Sequence, residues 1–189
     1  MVNRIERENI LMNSHRMLDN DDENGLNRTH GLFLMCREKM KQDFVVAEIG
    51  CFAGISSEVL ALHCRKLYCI DSWHDWSGDG GIFIAMEHFD NMISRYNHVE
   101  KLHMRGNEAV NNFSDETFDL IYIDASHWYK DVINDIQMWL PKLKKGGYLC
   151  GHDYKAGIDV YNAVNDYFGK THSITRYPDT TWLIQKDTL

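Results

Sequence analysis

Four side chains that can bind cations or move protons follow two apolar segments in the second half of the sequence. Asp124 and His127 come just after FDLIYI, and His152 and Asp153 come directly after GGYLCG. If the two segments are neighbouring parallel strands, these side chains meet at the carboxyl edge of a sheet, where open α/β folds bind ligands. Two carboxylates and two imidazoles could there hold a divalent cation that acidifies and positions a substrate hydroxyl, with His127 as the base. A metal-free site with His127 or His152 as the base is the open alternative.

The segment AEIGCFAG, residues 47–54, predicts a turn between a buried strand and a helix. Its pattern Glu48-x-Gly50-x-x-x-Gly54 removes side chains where a ligand would approach the backbone closely. A dinucleotide fingerprint would have a glycine at position 52, where this chain has Phe52. The acidic Glu48 suits a cationic ligand better than a pyrophosphate, and S-adenosylmethionine, which carries an ammonium and a sulfonium but no phosphate, fits this variant. A tight turn without a ligand is the open alternative.

A carboxylate follows the second predicted strand. Asp71 lies 21 residues beyond Gly50, close to the spacing at which an acid accepts both hydroxyls of a ribose. A lone Asp in this position would otherwise cap the next element. Trp73 and Trp76, in the loop that follows, either stack on an adenine or pin the loop.

The third predicted strand ends in residues that we expect beside the adenine. They are Gly106, Asn107 and Glu108, and Asn107 suits a helix N-cap equally well. The complete set of predicted cofactor contacts is Glu48, Gly50, Cys51, Phe52, Gly54, Asp71, Ser72, Trp73, Gly106, Asn107, Glu108 and Asp124.

Hydrophobic periodicity predicts alternating strands and helices. Strands are expected at 44–49, 66–70, 99–104, 118–123 and 148–151, and helices at 29–42, 56–64, 83–96, 127–140 and 160–168. Five such units imply a parallel sheet. Two short strands, 172–176 and 181–185, follow without a helix between them and predict a terminal antiparallel hairpin. The predicted fold class is therefore α/β and Rossmann-like, with a seven-stranded, mostly parallel sheet and helices on both faces.

The length of 189 residues suits one hydrophobic core. We expect an N-terminal helix and an acidic loop over residues 1–28 and a single domain over residues 29–189. Thr29 is a candidate N-cap for the first helix of that domain. Trp128 and Trp139 are expected to pack against the sheet, and the five cysteines, which form no CxxC pair, are expected to be free thiols.

Charge and hydropathy argue against several classes of partner. The net charge of −8 repels a polyphosphate backbone, so nucleic acid is a poor candidate substrate. No apolar stretch approaches the ~18 residues that a membrane span needs, so no membrane association is expected. The first residues do not have the pattern of a secretory signal, and we expect a cytoplasmic protein. A homo-oligomer is compatible with the sequence.

Four motifs together resemble those of class I S-adenosylmethionine-dependent methyltransferases. They are the glycine turn, Asp71, IDASH at 123–127 and WLPKLKKGGYLCGHDY at 139–154, and the resemblance spans about residues 29–185. The chain is most similar to the metal-dependent O-methyltransferase branch that includes macrocin-type sugar methyltransferases. The resemblance implies that Glu48, Gly50 and Asp71 contact S-adenosylmethionine. It also implies that three residues match magnesium-binding positions, namely Asp124, His152 and Asp153.

The chain departs from that branch at His152, where related metal sites usually have a carboxylate. An imidazole makes the site less anionic than magnesium prefers. Manganese is therefore an alternative to magnesium, and a metal-free mechanism stays open.

These observations lead to the hypothesis of O-methylation of a small-molecule hydroxyl, with a sugar as the family-level expectation for the acceptor. Two alternatives remain: a catalytically inactive protein that binds S-adenosylmethionine or serves as a scaffold, and a nicotinamide-dependent oxidoreductase. The missing third glycine of the fingerprint disfavours the oxidoreductase. Amino-methylation of nucleic acid has even less support. The fourth strand is followed by ASHW, where such enzymes usually have an Asn/Asp-Pro-Pro-aromatic motif.

Overall fold

A computed structural model describes residues 29–74, 78 and 80–187 of the chain. The predicted N-terminal helix and acidic loop, and the predicted role of Trp76, lie outside these residues. Within the described part of the chain, no helix combines the length and the apolar character that a membrane crossing requires.

The predicted seven-stranded sheet is confirmed. Its strands are Val45–Ile49 (β1), Lys66–Asp71 (β2), Val99–His103 (β3), Phe118–Ile123 (β4), Leu143–Gly151 (β5), Thr175–Arg176 (β6) and Trp182–Gln185 (β7). Their order across the sheet is β3-β2-β1-β4-β5-β7-β6. The first five strands are parallel, and β7 pairs antiparallel with both β5 and β6, so the terminal hairpin is also confirmed.

Helices cover both faces of the sheet, as predicted. They are His30–Lys39 (α1), Ile55–Ala61 (α2), Gly81–Ile93 (α3), Gly106–Ala109 (α4), Tyr129–Trp139 (α5) and Asp159–Phe168 (α6), with 3₁₀ turns at Val110–Asn112, Leu140–Lys142 and Pro178–Thr180. Neighbouring residues of β4 show the two layers: Leu120 packs in a core with α1, α2 and α3, and Ile121 packs in a core with α5 and α6. All five cysteines are buried free thiols, in agreement with the prediction.

Several boundaries differ from the predicted ones. Strand β5 begins at Leu143 rather than at 148, because Leu143 pairs with Phe118 before an irregularity shifts the register. The first strand of the hairpin contains only Thr175 and Arg176. Helix α5 begins at Tyr129, so that His127 lies in the segment between β4 and the helix.

The predicted N-cap position of α1 is confirmed, but the group that caps the helix is not the one expected. Thr29 occupies the N-cap position, but its side chain makes no capping hydrogen bond. The carboxylate of Asp179 instead accepts hydrogen bonds from the backbone N–H groups of Gly31 and Leu32, at 2.7 and 3.1 Å. A residue 147 positions away along the chain thus stabilises the helix start.

Gly50 connects β1 to the neighbouring strand β4. Its φ is 90°, a value that favours glycine, and a Cβ added there would lie 2.1 Å from the carbonyl oxygen of Asp124. The adjacent N–H of Asp124 donates to the carbonyl of Ile49 at 2.8 Å. The ends of β1 and β4 therefore meet backbone to backbone.

We expect Gly50→Ala to destabilise the fold by about 2 kcal/mol or more beyond the cost of the strained φ, because overpacking forces backbone shifts. Gly157→Ala is the matched control, since Gly157 has the same φ of 90° but no heavy atom within 4 Å of an added Cβ. Urea unfolding of both variants measures the difference. Equal destabilisation would show that the contact with Asp124 contributes nothing.

Candidate active site

A cavity of about 1640 Å³ opens at the carboxyl edge of the parallel strands. The ends of β1, β2, β4 and β5 contribute to its wall, as expected for an open α/β sheet. This volume exceeds the range of about 300–1,000 Å³ that is typical of sites for one small ligand. The predicted site residues on its wall are Gly50, Cys51, Phe52, Asp71, Ser72, Gly106, Asp124, His127, His152 and Asp153.

Asp71 holds the glycine turn in place. One carboxylate oxygen accepts the backbone N–H groups of Cys51 and Phe52, both at 2.9 Å, and the other accepts the N–H of Trp73 at 2.7 Å. An ionised carboxylate offers about four lone-pair sites, so roughly one remains free. Asp71 also lies on the cavity wall, so its predicted contact with a ribose stays a prediction, with the free acceptor capacity reduced by these backbone contacts.

Glu48 lies behind the cavity wall, which corrects the expectation that it contacts a ligand directly. Its side chain is fully buried, and its two oxygens accept hydrogen bonds from the hydroxyls of Ser56 and Ser57 at the start of α2. The thiol of Cys69 lies 3.7 Å away. Burial raises the pKa of Glu48 to about 7, against the lowering effect of the serine hydrogen bonds.

Gly54 and Trp73 have packing roles instead of the predicted ligand contacts. A Cβ on Gly54 would lie 2.6 Å from the Cε of Met92 in α3, so this glycine allows α3 to approach the turn. The Trp73 indole is buried, packs against the Phe89 ring at an interplanar angle of 53° and donates to the carbonyl of Phe52 at 2.8 Å. Of its two predicted roles, Trp73 therefore pins the loop.

Of the three residues after β3 that we expected beside the adenine, only one lines the cavity. Gly106 reaches the cavity wall, whereas the exposed side chains of Asn107 and Glu108 do not line it. Asn107 is not an N-cap either, because Arg105 occupies that position of α4.

The four predicted chemical residues converge at one end of the cavity. His127 Nε2 lies 3.1 Å from an oxygen of Asp153 and 3.4 Å from one of Asp124. His152 Nδ1 lies 3.5 Å from the other oxygen of Asp153. Asp153 itself has a φ of 58°, a left-handed conformation that turns the chain at the end of β5.

The carboxylates control the basicity of both imidazoles. The hydrogen bond with Asp124 raises the pKa of His127, and burial opposes this effect only in part. Burial alone would lower the pKa of His152, but the hydrogen bond with Asp153 and the surrounding carboxylates raise it to about 9. The cluster therefore attracts positive charge.

A cation could be bound by three of these residues. Asp124, His152 and Asp153 each offer one ligand atom, and these atoms lie within 4.8 Å of one another on the partly exposed cavity wall. Carboxylate oxygens suit magnesium and manganese, and an imidazole nitrogen moves the preference toward manganese. The donor set thus fits a divalent cation.

Sequence reasoning missed several residues on the cavity wall, including Trp128, Asp179 and Thr180. Trp128, expected to pack against the sheet, is 74% exposed beside His127, whereas Trp139 is fully buried as predicted. Asp179 and Thr180 reach the wall from the turn between β6 and β7. No motif in the sequence indicates Asp179 and Thr180, because only the folding of the terminal hairpin brings them to the cavity.

Residues 47–154, more than half of the chain, match the family model described as "Methyltransferase domain". Protein R132 of Acanthamoeba polyphaga mimivirus is 27% identical over 143 residues, which are 70% of this chain and 64% of that protein. Protein y4gI of Sinorhizobium fredii is 26% identical over 108 residues, 54% of this chain. The chain spans only 11% of the length of y4gI and less than two thirds of that of R132.

Solved structures share the fold. A protein of Corynebacterium glutamicum has a TM-score of 0.65 at 14% identity, covering 94% of this chain and 90% of that one. SMU.1697c of Streptococcus mutans, solved in complex with SAH, has a TM-score of 0.63 at 14% identity, covering 82% and 95%. The O-methyltransferase NovP has a TM-score of 0.61 at 16% identity, covering 85% and 78%. At these identities the likeness concerns the fold.

The raised pKa of Glu48 predicts a pH-dependent stability. Because the folded state binds this proton more tightly than the unfolded chain, the stabilisation is complete below pH 4.5 and is lost as the pH rises through 7. Glu48→Gln has no titrating group at this position, so its stability lacks this pH dependence. Between pH 5 and pH 8, the free energy of unfolding of wild type should fall by about 2–3 kcal/mol relative to that of the variant. Urea unfolding at both pH values measures the change, and a difference that stays constant would contradict the assignment.

Proposed function

The chain belongs to the family of methyltransferase domains, and on this basis we propose that it transfers the methyl group of S-adenosylmethionine to a hydroxyl of a small acceptor. A divalent cation at Asp124, His152 and Asp153 assists the transfer. The observation that carries this proposal is the position of the acid–imidazole cluster on the same cavity wall as the glycine turn. One cavity can therefore hold a cofactor and an acceptor side by side.

The geometry of the turn supports S-adenosylmethionine over a dinucleotide. In a dinucleotide site the backbone N–H groups of such a turn face a pyrophosphate. Here the N–H groups of Cys51 and Phe52 donate to the carboxylate of Asp71, which places a negative charge where the phosphates would lie. S-adenosylmethionine brings no phosphate and supplies a methyl group activated on a sulfonium. The free lone pair of Asp71 suits one ribose hydroxyl, and the complex of SMU.1697c with SAH is consistent with this assignment.

Asp124, His152 and Asp153 would hold the cation, and His127 would accept the proton of the acceptor hydroxyl. When bound, a divalent cation polarises and orients the acceptor hydroxyl. In the proposed step the hydroxyl oxygen attacks the methyl carbon, the carbon–sulfur bond breaks with its electrons on sulfur, and the hydroxyl proton goes to His127. The imidazole Nε2 lies 3.4 Å from Asp124 and 3.1 Å from Asp153, so the base would stand beside the space that the cation and the acceptor hydroxyl share. The main contributions of the protein are orientation and deprotonation.

The acceptor lies against Trp128 in this proposal. The indole is 74% exposed on the cavity wall, and within the described part of the chain it makes no ring contact. Its backbone is nevertheless held, because its carbonyl accepts the N–H groups of Asp131 and Val132 at 2.9 and 3.0 Å. An exposed indole on a hydrogen-bonded backbone suits the face of a sugar ring or of an aromatic ring.

Calorimetry with S-adenosylhomocysteine tests the cofactor assignment. Wild type should bind it, and Asp71→Ala should weaken binding about tenfold or more, because the hydrogen bonds that hold the turn and the backbone of Trp73 are lost. Asp119→Ala is the matched control. Asp119 also accepts a backbone N–H, that of Val45, but it lies at the opposite edge of the sheet, so this variant should lose stability and keep its affinity. No binding by wild type would refute the proposed function.

A transfer assay with radiolabelled S-adenosylmethionine and Mn²⁺ tests the acceptor wall, using methyl glycosides with vicinal hydroxyls and catechol as probes. Trp128→Ala should raise the KM of the accepted probe about tenfold, and Trp128→Phe should largely restore it, since an aromatic face remains. Phe83→Ala removes an exposed aromatic side chain outside the cavity wall and should have no effect. EDTA should abolish transfer in all variants. An unchanged KM in Trp128→Ala would remove the indole from the acceptor site.

A further inference from the structure

The turn between β6 and β7 has an unusual backbone where it reaches the cavity. Asp179 and Thr180 have φ values of 69° and 68°, in the left-handed region. This conformation is uncommon for residues other than glycine and is especially unfavourable for a β-branched threonine. A strained conformation persists only where its surroundings hold it in place.

Three sets of hydrogen bonds hold this turn. One oxygen of Asp179 accepts the N–H groups of Gly31 and Leu32 at the start of α1, and the other accepts the N–H of Thr181 at 3.0 Å. The carbonyl of Thr180 accepts the N–H of Tyr154 at 3.0 Å. The turn is thereby attached both to α1 and to the segment that follows β5.

This attachment places the Thr180 hydroxyl against His152. The Oγ1 of Thr180 lies 3.4 Å from Nε2 of the imidazole, and Nδ1 on the other side of the ring lies 3.5 Å from an oxygen of Asp153. The ring is mostly buried between these two partners. Each nitrogen of His152 therefore has its own neighbour.

We propose that Thr180 is a positioning residue for the cation site: its hydroxyl accepts the Nε2–H of His152 and so directs the Nδ1 lone pair toward the space shared with Asp124 and Asp153. A histidine that binds a metal through one nitrogen is usually oriented by a hydrogen bond at the other. The inference rests on the metal part of the proposed function. It adds a residue that neither contacts the cation nor belongs to a site motif.

The backbone of the turn explains why the side chain matters. Glycine would adopt the φ of position 180 without strain, yet the chain has a threonine there. A role in shaping the turn alone would be performed better by glycine. A role in orienting His152 requires the hydroxyl. Thr180→Gly should therefore keep Mn²⁺ binding if the residue only shapes the turn, and weaken it if the hydroxyl orients His152.

Mn²⁺ affinity, measured by calorimetry on the full chain, tests the inference together with urea unfolding. Thr180→Val, which keeps the shape but removes the hydroxyl, should weaken Mn²⁺ binding about tenfold or more. The Mn²⁺ affinity of Thr180→Ser should stay within about threefold of that of wild type. Thr180→Gly should unfold at the same or a higher urea concentration than wild type and still bind Mn²⁺ about tenfold more weakly.

Thr171→Val is the matched control. The hydroxyl of Thr171 lies 2.8 Å from Nδ1 of His172, a threonine–histidine pair outside the cavity wall, and its loss should leave Mn²⁺ affinity unchanged. Wild-type affinity in Thr180→Val, or in Thr180→Gly, would overturn the positioning role while leaving the metal site intact. Absence of Mn²⁺ binding by wild type would instead contradict the metal part of the proposed function, and the inference with it.

Discussion

The site depends on the close contact between the backbones of Gly50 and Asp124. This contact requires a residue without Cβ at the end of β1, and the hydrogen bond from Asp124 to Ile49 secures it at 2.8 Å. Because β1 and β4 are central neighbours in the sheet, it brings the turn for the cofactor beside the first carboxylate of the acid–imidazole cluster. In a sheet with another strand order, the same two motifs would face different cavities.

The acidic residues of the site have different physical roles although the sequence presents them alike. Asp71 uses most of its hydrogen-bonding capacity on backbone N–H groups of the glycine turn and of Trp73. Glu48 is buried behind that turn, and its raised pKa reflects the cost of holding a charge away from water. Asp124 and Asp153 face the cavity and attract positive charge. Only the last two are suited to reaction chemistry, and the first two maintain the geometry in which it takes place.

The terminal hairpin completes the cavity wall from the far end of the chain. Strand β7 runs antiparallel beside β5, so the turn before it returns to the carboxyl edge where β5 ends. Asp179 then caps α1 and Thr180 meets His152. A single turn thus connects the start of the first described helix, the terminal hairpin and His152, one of the candidate metal ligands.

Local periodicity and the residues directly after strands were enough to predict the strand–helix alternation, the terminal hairpin and the members of the acid–imidazole cluster. The sequence placed Asp124, His127, His152 and Asp153 correctly at one edge. It did not distinguish a carboxylate that faces a ligand from one that faces the backbone, as Glu48 and Asp71 illustrate. Three features became visible only in the folded chain: the exposure of Trp128, the packing of Trp73 and the contact of Thr180 with His152. Each depends on which distant segments meet, and no local sequence pattern indicates that.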